Sequence, residues 1–342
     1  MAHTIQRLGR GSDAQLGFSV EGTYGTGVVP VTFFPEYTTF SLEPTNTIIE
    51  PASWRPGRRA KRNDMRAVLN DGGTGSFEVE VPRNQATHNG MLKLWRWMFG
   101  GTPTVVQQGG TTAYLATFQP GDVTAAGTSL TLQEGVPEFS GVVQPITLYG
   151  TKCAGATITA DPGGNLRASF DINAQTWNES DDLATPAYDT GLVPWTWSSA
   201  FSVSRAGVVL PGVKSFSIGF TRGLNTDRGR LADGTGKRAQ PYETDLIACT
   251  IDLSVEWTDI TKTWDDLSSD TGNAYVITFT GPQISGLYYY VWRFTMQETH
   301  LLGDPPDVTA PTEVLQSVKL EALDDGTNPV CKLEVISTDT AV

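Results

Sequence analysis

Apolar and polar side chains alternate along much of this chain. Ser76–Val81 sets Phe77, Val79 and Val81 on one face and Ser76, Glu78 and Glu80 on the other. That two-residue period is the mark of a half-buried strand. Leu166–Ile172 repeats the pattern, and Tyr288–Phe294 gathers Tyr288, Tyr290, Trp292 and Phe294 on one expected core face. A helical period is present where Met91, Leu94, Trp95 and Met98 follow i, i+3, i+4, i+7, with Gly100 and Gly101 as the stop. A second helix is expected over Asp259–Leu267, ended by Gly272.

The order of these patterns recurs. Tyr37–Leu42 (YTTFSL) has a counterpart in Val213–Ile218 (VKSFSI), 176 residues later. Gly75–Val81 is echoed by Cys249–Val255 at an offset of 174, and Ile158–Gly164 by Leu320–Gly326 at 162. In both halves the expected helix follows the second of these segments. A duplicated β unit is the reading, and such units present nearly equivalent edges to one another. The expected fold is mainly β: two tandem β-sandwich-like domains, each with one flanking α-helix. Residues 1–35, broken by glycines, read as an extended N-terminal arm, 36–178 as the first domain and 200–342 as the second. The acidic, proline-broken stretch 179–199 reads as a linker. Residues 104–144 form extra material in the first half, with turns at Pro120-Gly121 and Glu134-Gly135.

Composition narrows the function. Apolar residues make up 39% of the 342, enough for ordinary cores, while 36 glycines and 20 prolines suit a turn-rich β protein. With 24 basic against 37 acidic residues the net charge is −13. The chain as a whole therefore repels phosphate backbones, which argues against tight non-specific nucleic-acid binding. No apolar run approaches the roughly 20 residues of a membrane span. The first ten residues lack the hydrophobic centre of a secretory leader, which points to assembly in a cytoplasm. Cys153, Cys249 and Cys331 are an odd set in strand-like stretches and are expected as reduced, buried thiols.

Catalytic chemistry finds no constellation. His3, His88 and His300 have no metal-ligand partner at the usual spacing, and no nucleophile elbow occurs. Gly234–Arg238 lacks the first glycine and the hydroxyl residue of a phosphate loop. Asp324-Asp325-Gly326 reads as a turn, lacking the alternating ligands of a calcium loop. No enzyme activity, cofactor or metal is expected.

Two features remain open. Arg55–Arg66 concentrates six of the 24 basic residues in twelve positions. It can be a solvated loop, a nucleic-acid contact, or an electrostatic plug into a neighbouring subunit; the missing aromatics argue against base stacking, and complementarity within an acidic assembly favours the plug. Trp195 and Trp197 share one side of an extended segment, as a domain-junction packing pair or as a sugar-stacking platform.

Glu21–Phe34 (EGTYGTGVVPVTFF), Arg55–Arg59 (RPGRR), Leu224–Arg228 (LNTDR) and Lys319–Asn328 (KLEALDDGTN) resemble, in that order, segments of the major tail tube proteins of long-tailed bacteriophages. The resemblance covers nearly the whole chain, the 104–144 insertion apart. It implies a tail-tube fold in each half, related to the type VI secretion tube, and homotrimeric, pseudo-hexameric rings stacked into a hollow tube. It further implies passage of double-stranded DNA past an acidic lumen, no sheath, and a place in the virion tail. Partners would be other copies of the chain and the tail tip or baseplate, tape measure and tail terminator proteins, without membrane binding. Expected inter-subunit or inter-ring contacts are Arg55, Arg58, Arg59, Lys61, Arg62, Lys237, Arg238, Tyr24, Phe33 and Phe34. The alternative function is a carbohydrate-binding or adhesin-like virion protein using Trp195 and Trp197.

Overall fold

The computed structural model describes residues 11–30, 36–52, 60–61, 63–83, 90–138, 140–197, 201–231, 235–257, 269–302, 314–340 and 342. The first half contains β1 (Gln15–Val20), β2 (Tyr37–Ile49), β3 (Ala67–Glu80), helix α1 (Gly90–Phe99), β4 (Thr104–Gln107), β5 (Tyr114–Phe118), β6 (Leu130–Pro137), β7 (Val143–Ala160), β8 (Arg167–Ala174) and β9 (Thr176–Asn178). The second contains β10 (Phe201–Arg205), β11 (Val208–Val209), β12 (Val213–Thr221), β13 (Leu224–Asn225), β14 (Tyr242–Glu243), β15 (Ala248–Glu256), β16 (Asn273–Ser285), β17 (Tyr288–Leu301), β18 (Leu315–Ala322) and β19 (Lys332–Ser337). Among the described residues seventeen strands form one antiparallel network, and β13 with β14 makes a separate ribbon. The mainly-β fold with an α-helix packed on it agrees with the alternation in the sequence. The helix expected over Asp259–Leu267 lies outside the described residues.

The strand pairing has an internal repeat. In the first half the neighbours run β1–β6–β7–β8–β3–β2. In the second they run β10–β16–β17–β18–β15–β12. Register makes the equivalence residue by residue. Phe40 faces Phe77, which faces Phe170; Phe216 faces Leu253, which faces Val318. Phe40 and Phe77 thus match Phe216 and Leu253 at one shared offset of 176. This corrects the sequence alignment of β3 with β15 by two residues, a slip that keeps every side chain on its face. Leu320 faces Ile251 as Ile172 faces Gly75, so its counterpart is Ile172, on β8, instead of Ile158. The turn that follows each segment had drawn the wrong strands together.

The two blocks join edge to edge: β12 lies along β7, from Phe216 opposite Ala160 to Thr221 opposite Gly155. Their cores also merge. Helix α1 buries Trp95 against Phe170 of β8 (ring centroids 5.7 Å) and Trp292 of β17 (6.5 Å), while Phe99 meets Phe118 and Phe220. One continuous cluster of buried apolar residues spans both halves. Gly100 ends α1 at φ +72°, the left-handed stop anticipated from sequence.

Two segments differ from their expected roles. Within the anticipated arm, Gln15–Val20 is a strand against β6, with Leu16 and Phe18 buried. Within the anticipated linker, Trp195 N–H donates to Val81 O (2.9 Å) and Leu166 N–H donates to Trp195 O (2.7 Å), so this stretch lies between the ends of β3 and β8. Hydrogen bonding to the sheet decides the placement of both.

Candidate assembly interface

Of the contacts expected from sequence, Arg55, Arg58, Arg59, Arg62, Phe33 and Phe34 lie outside the described residues. Lys61 is exposed at the base of the basic stretch and pairs with Glu50, which also has Arg66 at 3.9 Å. Tyr24 turns inward. Its ring lies beneath the Lys152 ammonium, 5.5 Å from the centroid, and packs over Gly150. Burial and the nearby Glu21 carboxylate raise the pKa of its phenol.

Lys152 and Glu21 are ionisable side chains inside the sheet, both 0% exposed. Lys152 Nζ donates to Val123 O and to Thr128 Oγ1, each at 2.7 Å. Glu21 accepts from Gly25 N–H (2.9 Å), Thr131 Oγ1 (2.9 Å) and Gly150 N–H (2.8 Å). Desolvation pulls the Lys152 pKa down to about 7 and pushes buried Glu134 up to about 7. The network fastens residues 21–28 to β6 and β7, with Val28 N–H donating to Thr131 Oγ1 (3.0 Å).

Arg238 stands in a loop that folds back from the second half onto the first. Its Nε lies 3.6 Å from Asp71 Oδ1, and Arg230 pairs with the same carboxylate, which also accepts from the Thr47 hydroxyl. Gln175 donates to Arg238 O (2.6 Å). Lys237 is half-buried beside it and its carbonyl accepts from Leu231 N–H (2.8 Å). The structure therefore gathers Arg230, Lys237 and Arg238 near β3, and sets Lys61 and Tyr24 in separate environments.

The joint between the halves depends on a residue the sequence did not flag. Arg222, just after β12 and 0% exposed, donates through Nη1 to Met98 O (2.9 Å) and through Nη2 to Gly121 O (2.7 Å), and pairs with Glu243. A cation thereby caps the carbonyl end of α1 from a distant strand. The guanidinium also fills the space a Cβ on Gly100 would need, at 2.6 Å from Nη1. The available signal was an arginine closing an alternating strand, and it says nothing of its partners. Buried Lys152, in the apolar run of β7, carried an equally faint one.

Trp195 and Trp197 spend their faces on other aromatics: Trp195 on Phe279 (6.1 Å), Trp197 on Phe201 (4.0 Å) and Phe216 (6.1 Å). Trp195 is 3% exposed. Cys153, Cys249 and Cys331 are buried free thiols. His300 sits between Asp270 (2.8 Å) and Glu298 (3.2 Å), which hold its pKa up. No described helix is long and apolar enough to cross a membrane.

A family model described as "Phage tail tube protein" matches residues 11–322. The chain belongs to the phage tail tube protein family. No curated protein matches it. Membership makes this tail tube protein a structural component of the virion tail, one that assembles with itself and associates with other tail components. The mainly-β architecture is consistent with that place.

Proposed function

We propose that three copies of the chain close into a pseudo-hexameric ring, and that rings stack into the hollow tube through which the phage genome passes to the host. The repeated strand order, with β12 already seated along β7, is the observation that carries this reading. Two equivalent units, 36–178 with β1 added from the segment before it and 200–342 with β10 of its own, fill two of six positions. Closure by rotation leaves no unpaired edge around the ring. Obligate contacts of this kind bury on the order of 2,000 Å² or more.

The basic stretch with Arg55, Arg58, Arg59, Lys61 and Arg62 is the ring-to-ring contact in this scheme, with Phe33 and Phe34 contributed by the preceding segment. Tyr24, Lys237 and Arg238 support these contacts from within the chain through the packing described above. The net charge of −13 suits a wall past which double-stranded DNA slides without binding. Tail tip or baseplate, tape measure and terminator proteins meet the tube at its ends and along its bore. Assembly takes place in the host cytoplasm, and no catalytic step is involved.

Electron microscopy of the purified chain at high concentration tests the reading. Rings or tubes with a central hole are expected; dispersed monomers at all concentrations would overturn it. Charge reversal at Arg58 and Arg59 is expected to leave rings but reduce stacking. Unchanged tube yield would remove the basic contact. A glycan-binding role gains no support from Trp195 and Trp197, whose rings pack against other aromatics.

A further inference from the structure

One sheet face runs unbroken across both halves, and three neighbouring rows of side chains define it. Strands β3, β8, β7, β12, β15 and β18 lie side by side, each hydrogen-bonded to the next. Their register sets Val79, Ala168, Ile158, Ile218, Ile251 and Leu320 in one row, and all six are buried. The rows one residue to either side point the opposite way. One reads Glu78, Ser169, Thr157, Gly219, Thr250, Glu321; the other reads Glu80, Arg167, Thr159, Ser217, Asp252, Lys319. No apolar side chain stands in either, and none of these twelve residues is buried.

The apolar side of the same sheet is closed. Helix α1 packs there across the joint, with Trp95 on Phe170 of β8 and Phe99 on Phe220 of β12. In a ring of such units, the layer hydrogen-bonded edge to edge has the smaller circumference. The layer packed behind it lies about 10 Å farther out and has the larger one. The helix fills the wedge that opens behind the joint, so the polar face is left toward the axis.

We infer that the polar face of β3, β8, β7, β12, β15 and β18 is the inner wall of the tube, with its cations masked so that duplex DNA finds no phosphate grip. The inference rests on the ring reading and names the surface that meets the bore. Arg167 stands opposite Glu80 and 3.8 Å from Glu78, and Lys319 stands opposite Asp252. Between these charges the wall is made of short side chains, Ser169, Thr157, Thr159, Ser217 and Thr250, which hold water and present no ridge. Four carboxylates against two cations in the two rows leave a surplus that repels phosphates over a Debye length, about 8 Å at physiological salt. With each cation beside a carboxylate, contact releases few counterions, and DNA has no drive to adhere.

Thr157→Cys and Thr250→Cys each place a thiol on this face, one in each half, while the native cysteines are buried. Tubes of either variant, labelled after assembly with a small maleimide–gold cluster, are expected to show gold inside the bore by electron microscopy. Gold on the outer surface overturns the inference and leaves the tube reading standing. Thiols that stay unlabelled, or variants that fail to assemble where the native chain forms tubes, overturn it equally, because both mark the face as a contact. Retention of a short fluorescent DNA duplex at low salt tests the masking. Tubes of the Glu78→Gln, Glu80→Gln, Asp252→Asn triple variant are expected to retain at least about tenfold more duplex than native tubes. Equal retention overturns the masking of Arg167 and Lys319. A native chain that forms no tubes overturns the ring reading and this inference together.

Discussion

Replacing Arg222 by methionine keeps much of the side-chain volume and removes the cation that holds the two halves together. The guanidinium makes two charged hydrogen bonds to backbone carbonyls, 2.9 Å to Met98 and 2.7 Å to Gly121, and pairs with Glu243. Each such bond contributes about 1.5–3 kcal/mol, and a buried carbonyl left unpaired forfeits most of that. Two terms offset the loss. The guanidinium no longer has to be desolvated, and Glu243, 28% exposed, recovers water once released. The net cost is about 3 kcal/mol. Urea unfolding followed by tryptophan fluorescence reads it, since Trp95 and Trp97 lie on α1. Arg222→Lys, which keeps the charge but cannot fork to both carbonyls, is expected to lose about half as much. A cost below about 1 kcal/mol for methionine, or equal costs for lysine and methionine, would refute the claim that the forked cation stabilises this joint.

Other outcomes follow from the buried charges. Glu134, whose pKa rises to about 7 on folding, contributes stability that is full below its ordinary 4.5 and lost as pH rises to 7. Lys152, lowered to about 7, contributes stability present above its ordinary 10.5 and lost as pH falls to 7, so urea midpoints are expected to pass through a minimum near neutrality. The slopes are on the order of 1 kcal/mol per pH unit; Glu134→Gln is expected to flatten the acid limb and Lys152→Met the alkaline one. Asp71→Asn is expected to cost about 2 kcal/mol and to release the loop held by Arg230 and Arg238, read as faster tryptic cleavage at those residues. Trp195→Ala is expected to cost about 3 kcal/mol in stability, with no specific loss on a glycan array; glycan loss in a fully folded variant would restore the carbohydrate reading.

Alternation and helical spacing made several elements legible. Phe77, Val79 and Val81 are buried together, and so are Met91, Leu94, Trp95 and Met98 on α1, joined there by Leu92, Trp97 and Phe99. Residues 15–20 do alternate, Leu16, Phe18 and Val20 against Gln15, Gly17 and Ser19, but the glycines spaced through the first 27 residues led the whole stretch to be read as an arm. The 174-residue offset escaped for a different reason. A two-residue slip preserves inward and outward positions, so only hydrogen-bonded register distinguishes Ile251 from Leu253 as the partner of Phe77. Arg222 and Lys152 were unreadable in principle. Most of their partners are backbone carbonyls, of Met98, Gly121 and Val123, which no side-chain pattern advertises, and Glu243 and Thr128 lie 21 and 24 residues away in sequence.

The repeat also exposes an asymmetry. The 176-residue offset that matches Phe40 with Phe216 places Asn46 where Arg222 stands. Beside the internal joint, Arg222 reaches into the carbonyl end of α1, and the loop after it returns to clamp on Asp71. At the matching position of β2 the arginine is missing. In the proposed ring, three joints are sealed by buried charge within each chain as it folds, and three form between chains afterwards. Covalent linkage makes the first kind insensitive to concentration, whereas the second must overcome repulsion between chains of net charge −13. Stiff pairs joined by weaker seams let a complete, folded chain exist before assembly, which is what a tube built one ring at a time requires.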